Sequence, residues 1–534
     1  MKFAFSIKYF KSAFFPFLVL IILSAGAWIR IAHFPDIPPG LNQDEASSAY
    51  ESWSIATTGA DRWGNVLPAY FPALGSGQNT LLAYLTVPAV RLLGLNIFSA
   101  RIVSLILGLL LLPLLLFSLW PAKRPIALLA TLVVALVPWH FMLSRWALES
   151  NLLPFFMLLG CALMIRGVIT GKRRWIVPSL LPIALALYAY GTTVAMLAPF
   201  FLLFIILHFK AIRDHLWSWL SAFGLFCVLG FPFFLYFFEQ YVIGRNMAWT
   251  DDLFFSTPLC VSSRLSEVSG TGILWGNIEF LMRGFDDGGN YNLMHGYLLL
   301  FPFCSLLGFL GLGLFSVQLA RKKIAHQSLT KEMTAVSIFA IWGLSSLSFL
   351  FLFQLNVNRF NHFYLPCIVL SIWLLDLLIQ NVKSNKRRWA LYGLTFAFLT
   401  FSTLRGIRYY FNGYRESDIK TNFYSGLGDA FEAVKGIQAS QVHISPNVML
   451  SYVYTLFYLK YPATQFRQEV NYEEKNGAYK VNTIGRYVFD DNYLNPLQPW
   501  GFLSKKGELQ SSTKFTKEIV YQDNYWEVGV MNLK

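Results

Sequence analysis

Apolar runs long enough to cross the roughly 30 Å of bilayer hydrocarbon, at about 20 residues each, recur from residue 12 to residue 405. They fall at 12–32, 97–119, 126–143, 151–170, 175–191, 193–209, 216–238, 293–318, 333–354, 362–381 and 388–405, so the chain reads as a polytopic α-helical membrane protein with about eleven transmembrane helices. Composition agrees: 55% hydrophobic and 17% aromatic residues against 13% charged leave a soluble domain nowhere to bury its apolar surface. The run at 12–32 is long and no small-residue cleavage site closes it, which makes it a first span rather than a secretory signal.

The formal charge of +14 is distributed as short basic clusters between apolar runs, a pattern of membrane topology and not of nucleic-acid binding. The short apolar stretch 79–94, with Pro88, Arg91 and Gly94, decides the orientation. If it does not cross, Lys2, Lys8, Lys11, Lys123/Arg124, Lys172 to Arg174, Lys210/Arg213, Arg321 to Lys323 and Lys383 to Arg388 share one side, the cytoplasmic one. It is therefore expected to be juxtamembrane or re-entrant in a multi-pass protein of the plasma (inner) membrane with a cytoplasmic N-terminus. Residues 1–409 then form the membrane domain, with outer loops 33–78, 144–150, 239–292 and 355–361. Residues 410–534 form a small extracytoplasmic α/β domain with an amphipathic patch at Asp429–Ile437 and β-rich runs at Val442–Ile444 and Tyr452–Tyr458. Asp376 is the main acid within a late span, and its place near the cytoplasmic end suggests an interfacial group. Of five cysteines, Cys161, Cys227, Cys304 and Cys367 lie in apolar runs and Cys260 in a polar loop, with no disulfide framework or zinc spacing.

Chemistry-bearing residues concentrate in the outer loops. Leu41-Asn42-Gln43-Asp44-Glu45 precedes an interfacial helix from Ala46 to Thr58 that ends at Gly59. Two acids suit a helix start, with Asn42 or Asp44 as cap. Asp44 is also placed to act as a general base, because lipid and a neighbouring acid both raise a carboxylate's proton affinity. In Ser144-Arg145-Trp146-Ala147-Leu148-Glu149, the four-residue spacing lets Arg145 and Glu149 pair on a helix. Alternatively, Glu149 faces the Asp44 loop while Arg145 holds an anionic group. Asp286 to Asn292 reads as a turn, without the calcium-loop pattern.

Asp44-Glu45 after the first span, Phe98-Ser99-Ala100-Arg101 entering the next helix, and Ser144-Arg145 leading to Glu149 resemble the protein O-mannosyltransferase and lipid A aminoarabinose transferase group. The stretch from Asp44 to Phe71 with Gly77-Gln78-Asn79 is similar to its bacterial branch, and the likeness spans roughly residues 10 to 200. The resemblance implies a GT-C fold and a cell-envelope glycosyltransferase that draws on a polyprenyl-phosphate-linked sugar. It implies Asp44 as the base, with Glu45 beside it and Glu149 as the second acid, where relatives often have Asp. Gln78 stands where relatives often carry Lys, so the carrier phosphate is assigned to Arg145 and Arg359, with Gln78 alongside. His295, Tyr50 and Asn358 are candidates for the substrate cavity, and Tyr50, Trp53 and Trp63 for stacking on sugar rings. No metal ligands are identified and no cofactor is firmly implied, although a divalent metal is compatible with the scheme. The expected partners are the lipid-linked donor, a glycan, lipid or protein acceptor, and membrane lipids, with no nucleic acid. The alternatives are a transporter or flippase of lipid-linked sugars and a noncatalytic glycan-assembly protein. Polar groups gathered on outer loops rather than at mid-membrane favour the enzyme.

Overall fold

A computed structural model describes residues 2–72, 77–244, 273–475 and 478–534. Among them, 8 helices are long and apolar enough to cross a membrane: Ile97–Leu119, Glu149–Thr170, Gly191–Asp214, Leu216–Phe238, Pro302–Ile324, Lys331–Leu352, Asn361–Gln380 and Asn385–Tyr414. The first span is helix α1 (Lys2–Ile31). Two other expected spans are helical but broken. At 126–143, Arg124–Leu136 stops at Val137 (φ −71°, ψ 136°), because a residue before proline is pushed out of the α region, and Pro138–Leu143 resumes as a short second helix. At 175–191, Arg173–Ile176, a 3₁₀ turn over Val177–Leu180 and Leu181–Ala189 follow one another, punctuated by Pro178 and Pro182. The span expected at 293 begins instead at Pro302, since the preceding residues form a loop that buries Leu293, Met294, Leu299 and Leu300.

Helix α2 (Gln43–Thr58) follows in loop 33–78, and α3 (Leu81–Leu93) occupies the ambiguous stretch. Thirteen residues at 1.5 Å each extend about 20 Å, too short for the hydrocarbon core, which fits the juxtamembrane reading. It lies between α2 and α4 (Ile97–Leu119).

Side chains such as Trp217, Val228, Phe231, Leu394, Phe396 and Phe401 are exposed around the bundle, where lipid is their natural solvent. Between helices, with lipid as apolar as leucine, close packing must replace the hydrophobic effect. Pro302–Ile324 and Asn361–Gln380 achieve it through small residues. A Cβ on Gly308 would stand 2.3 Å from Cys367 Sγ, and one on Gly311 would stand 2.6 Å from the Leu370 carbonyl oxygen. Asp376 is paired with Lys123 and accepts a hydrogen bond from the Tyr392 hydroxyl (3.1 Å), so this intramembrane acid is neutralised near a helix end.

The C-terminal region is a sheet domain. Strands β3 (Val442–Ile444), β4 (Val470–Lys475), β5 (Ala478–Ile484), β6 (Tyr487–Val488), β7 (Trp500–Lys505), β8 (Phe515–Gln522) and β9 (Trp526–Leu533) lie in the order β4-β5-β6-β3-β7-β9-β8. β3 runs parallel to β6 and β7, and the other pairs are antiparallel. The amphipathic patch forms helix Leu427–Lys435, which packs on the sheet with Leu427, Ala430, Phe431 and Val434 buried. Tyr452–Tyr458, expected as β, is helix Ser451–Tyr458, almost wholly buried; burial on all sides overrides the β preference of its aromatic and branched residues. The domain shares one core with α2: Leu41, Ala46, Ala49 and Tyr50 pack with Phe431, Ile444 and Tyr454.

The helix contact yields a test. Gly311→Val should lower stability by about 1–3 kcal/mol through overpacking, read as earlier thermal unfolding of the purified membrane protein, whereas Gly313→Val, with open space around its Cβ, should not.

Candidate functional site

The start of α2 is built by a reciprocal cap. Asn42 Oδ1 accepts from the Asp44 amide (2.9 Å), and the Glu45 carboxylate accepts from the Asn42 amide (3.1 Å). Both acids sit in the first turn, where the helix dipole favours negative charge, yet their environments differ. Asp44 is half-buried, and Glu45 is fully buried.

Glu45 is committed to structure. Its Oε1 accepts from Arg101 Nε (2.8 Å) and from the Ala147 amide (2.7 Å), and its Oε2 from Arg101 Nη2 (2.7 Å). Arg101 spends its other donors on the carbonyls of Pro35 (2.6 Å), Pro38 (2.8 Å) and Gly40 (2.8 Å). The expected catalytic role of Glu45 is therefore corrected: no oxygen of this carboxylate is left for a reacting proton.

Asp44 meets the next loop through a two-stranded hairpin, β1 (Tyr70–Phe71) with β2 (Gln78–Asn79). Gln78 Nε2 donates to the Asp44 carbonyl (3.1 Å), and the neighbouring Asn79 amide donates to Glu149 Oε2 (2.5 Å). Asn79 Oδ1 in turn accepts from the Gly191 amide (2.9 Å). Asp44, through its backbone carbonyl, and Glu149, through its carboxylate, thus converge on two consecutive residues of β2. Gln78 Oε1 and Asn79 Nδ2 are buried there with no hydrogen-bond partner among the described residues, and buried polar atoms of this kind call for a water or a ligand.

The helical pairing of Arg145 with Glu149 does not form, because the helix Pro138–Leu143 ends at Ser144 and Glu149 opens a separate 3₁₀ turn. Arg145 is also not available to phosphate. Its buried guanidinium donates to the carbonyls of Ile29 (3.0 Å), Arg30 (2.7 Å), His33 (3.0 Å) and Ile37 (3.3 Å), satisfying oxygens that the end of α1 leaves open. Tyr50 is corrected likewise: it is fully buried, and its hydroxyl donates to the Tyr461 carbonyl (2.6 Å). Trp63 is partly buried and stacks on Tyr479 of the sheet domain at 4.6 Å, so one face of its ring is already covered.

The turn at Trp146 also meets the loops that precede Pro302–Ile324 and Asn361–Gln380. Trp146 Nε1 donates to Asn292 Oδ1 (2.6 Å), and Asn292 bonds onward to Asn358. The Val357 amide donates to Asp287 (2.8 Å), while Asp286 and Asp287 accept from the amides of Gly288 and Gly289, which makes this segment the expected turn. Trp146 stacks on Tyr291 (6.2 Å), whose phenol is pushed up by burial first and then by the charges of Tyr424 and Asp44. Asn358 thus belongs to a network that reaches the surroundings of Asp44. Arg359 is partly exposed and donates to the Gln354 carbonyl (3.0 Å); His295 is exposed. Cys260 and the centre of loop 239–292 lie outside the described residues. Among the described residues, no group of three or more His, Cys, Asp or Glu side chains is placed to hold a metal ion.

Glu45→Ala and Arg101→Met should each cost about 3–5 kcal/mol by stranding a buried charge, with the double variant far less damaged than their sum. A thermal-unfolding double-mutant cycle reads this coupling.

Comparison with known proteins places these observations. Residues 74–246 match the family model described as dolichyl-phosphate-mannose-protein mannosyltransferase. The fold is similar to that of ArnT from Cupriavidus metallidurans bound to undecaprenyl phosphate, with a TM-score of 0.54 at 15% identity over 97% of each chain. Against ArnT in the apo state the TM-score is 0.53 at 15% identity over 98% of each chain. No curated protein matches the chain by sequence. The chain is thus a multi-pass membrane protein of the GT-C fold that shares its residues 74–246 with the protein mannosyltransferase family.

Proposed function

We propose that this protein is a glycosyltransferase that moves a sugar from a polyprenyl-phosphate carrier to an acceptor hydroxyl on the outer face of the plasma membrane. The observation that carries the reading is the convergence of Asp44 and Glu149, from two separate loops, on Gln78 and Asn79. The family match over 74–246 includes Gln78, Asn79 and Glu149.

In this reading Asp44 is the general base. The carboxylate of this half-buried residue takes the proton of the acceptor hydroxyl as that oxygen bonds to the anomeric carbon. The bond from the anomeric carbon to the phosphate oxygen breaks, and polyprenyl phosphate departs with the electron pair. One displacement without an enzyme nucleophile inverts the anomeric centre. Glu149 holds the β2 backbone and stands as the second acid, while the uncommitted Gln78 Oε1 and Asn79 Nδ2 offer an acceptor and a donor for sugar hydroxyls. With Arg145 committed to the end of α1, the departing phosphate falls to Arg359. It stands beside Asn358 at the edge of the Trp146–Asn292 network, where a guanidinium stabilises charge developing on the leaving oxygen.

The test uses membranes supplied with polyprenyl-phosphate-linked sugar. Asp44→Asn should fold normally and lose roughly 10²–10⁴-fold in transfer, the usual worth of a general base. Arg359→Gln should lower transfer without changing the pH profile, and Arg145→Lys should chiefly lower stability. Full transfer by folded Asp44→Asn removes this residue as the base.

A further inference from the structure

Helix Val194–Asp214 connects the Asp44 end of the molecule to a second site. It begins just after Gly191, whose amide donates to Asn79, and its 21 residues at 1.5 Å each carry it about 31 Å, one hydrocarbon thickness away. At that far end a cavity of about 480 Å³ opens between Leu153–Thr170, Val194–Asp214, Pro302–Ile324 and the start of Lys331–Ser346.

Its polar wall carries Lys210, Lys323, His208, His215, His326 and Asp214. Two lysines from different helices face one acid, and Asp214 lies 3.6 Å from Arg213, so the lining is cationic. The wall is also built. The helix departs from regular geometry at buried His208 (φ −107°, ψ 22°), whose Nε2 hydrogen-bonds Ser337 Oγ at 3.1 Å. Gly171, at φ +65°, admits the His215 ring so closely that a Cβ there would stand 2.2 Å from its Nε2. Val168, Leu207 and Leu319 form an apolar side. Phe209, Trp217 and Ile324, each one or two residues along the chain from a lining residue, are exposed, Trp217 by 81%, so the cavity sits where headgroups meet acyl chains.

We propose that this cavity binds the phosphate of an anionic phospholipid headgroup in the leaflet opposite Asp44, the one the basic clusters assign to the cytoplasm. Lysine serves phosphate as a compact point charge from a flexible stem, and basic pockets between helices at this depth suit anionic headgroups. The apolar side and the exposed aromatic rim favour a lipid over free phosphate. The site stands apart from the transfer chemistry, and Asp44→Asn leaves it intact.

The full chain, purified and reconstituted in nanodiscs of phosphatidylcholine with graded phosphatidylglycerol, tests this by native mass spectrometry of retained lipid. Wild type should retain phosphatidylglycerol over phosphatidylcholine. Lys210→Gln with Lys323→Gln should weaken that retention roughly thirtyfold, at the usual worth of two lysines near a membrane surface, whereas Lys386→Gln with Arg387→Gln should not. In wild type, phosphatidylglycerol should also slow acetylation of Lys210 and Lys323 but not of Lys386, while inorganic phosphate gives no such protection. Equal retention of the two lipids, unchanged retention by the double variant, or full protection by inorganic phosphate overturns the proposal.

Discussion

The Asp44 end of the protein depends on one buried ion pair. Arg101, near the start of α4, and Glu45, in the first turn of α2, are both fully buried, and together they bind the chain leaving α1, the start of α2 and the turn at Ala147. Taking two charges from water is costly, so such a pair adds little net stability. What it supplies is position. With Glu45 fixed on Arg101, the adjacent Asp44, about 100° around the helix, must face another direction.

The sheet domain completes this arrangement rather than hanging from it. Tyr50 and Leu41 are buried under it, the Tyr454 hydroxyl donates to the Leu41 carbonyl (3.0 Å), and the Leu41 amide donates to the Phe423 carbonyl (2.6 Å). The loop bearing Asp44 is therefore clamped from both sides: the membrane helices hold it through Arg101 and Arg145, and the C-terminal domain through a shared apolar core. In the proposed transfer, a carboxylate held in this way requires little reorganisation when a substrate arrives.

Much of this was legible in the sequence, and the failures have identifiable causes. Span positions follow from apolar length, and the approach of Glu149 to the Asp44 loop follows from the loops that carry both acids. The Asn42-x-x-Glu45 spacing is a capping-box signature that marks Glu45 as structural, but its partner Arg101 lies 56 residues away and only the tertiary fold reveals it. The i, i+4 rule offers Glu149 as the partner of Arg145 because it presumes a continuous helix, whereas here the helix stops at Ser144 and Arg145 turns to the carbonyls at the end of α1. Tyr50 and Trp63 read as aromatics for stacking on sugar rings because nothing local announces that a distant sheet domain packs against them. Asn79, which joins Glu149 to Gly191, carries no local signal beyond its place after Gln78.

The central claim is that a carrier phosphate and Asp44 share one cleft. The most direct measurement is a structure of the full chain in lipid with a polyprenyl monophosphate bound. The account predicts the phosphate within hydrogen-bonding distance of Arg359, with Asp44, Gln78 and Asn79 lining the space beyond it. A phosphate seated elsewhere, with the Asp44 carboxylate sealed away from it, would contradict the account.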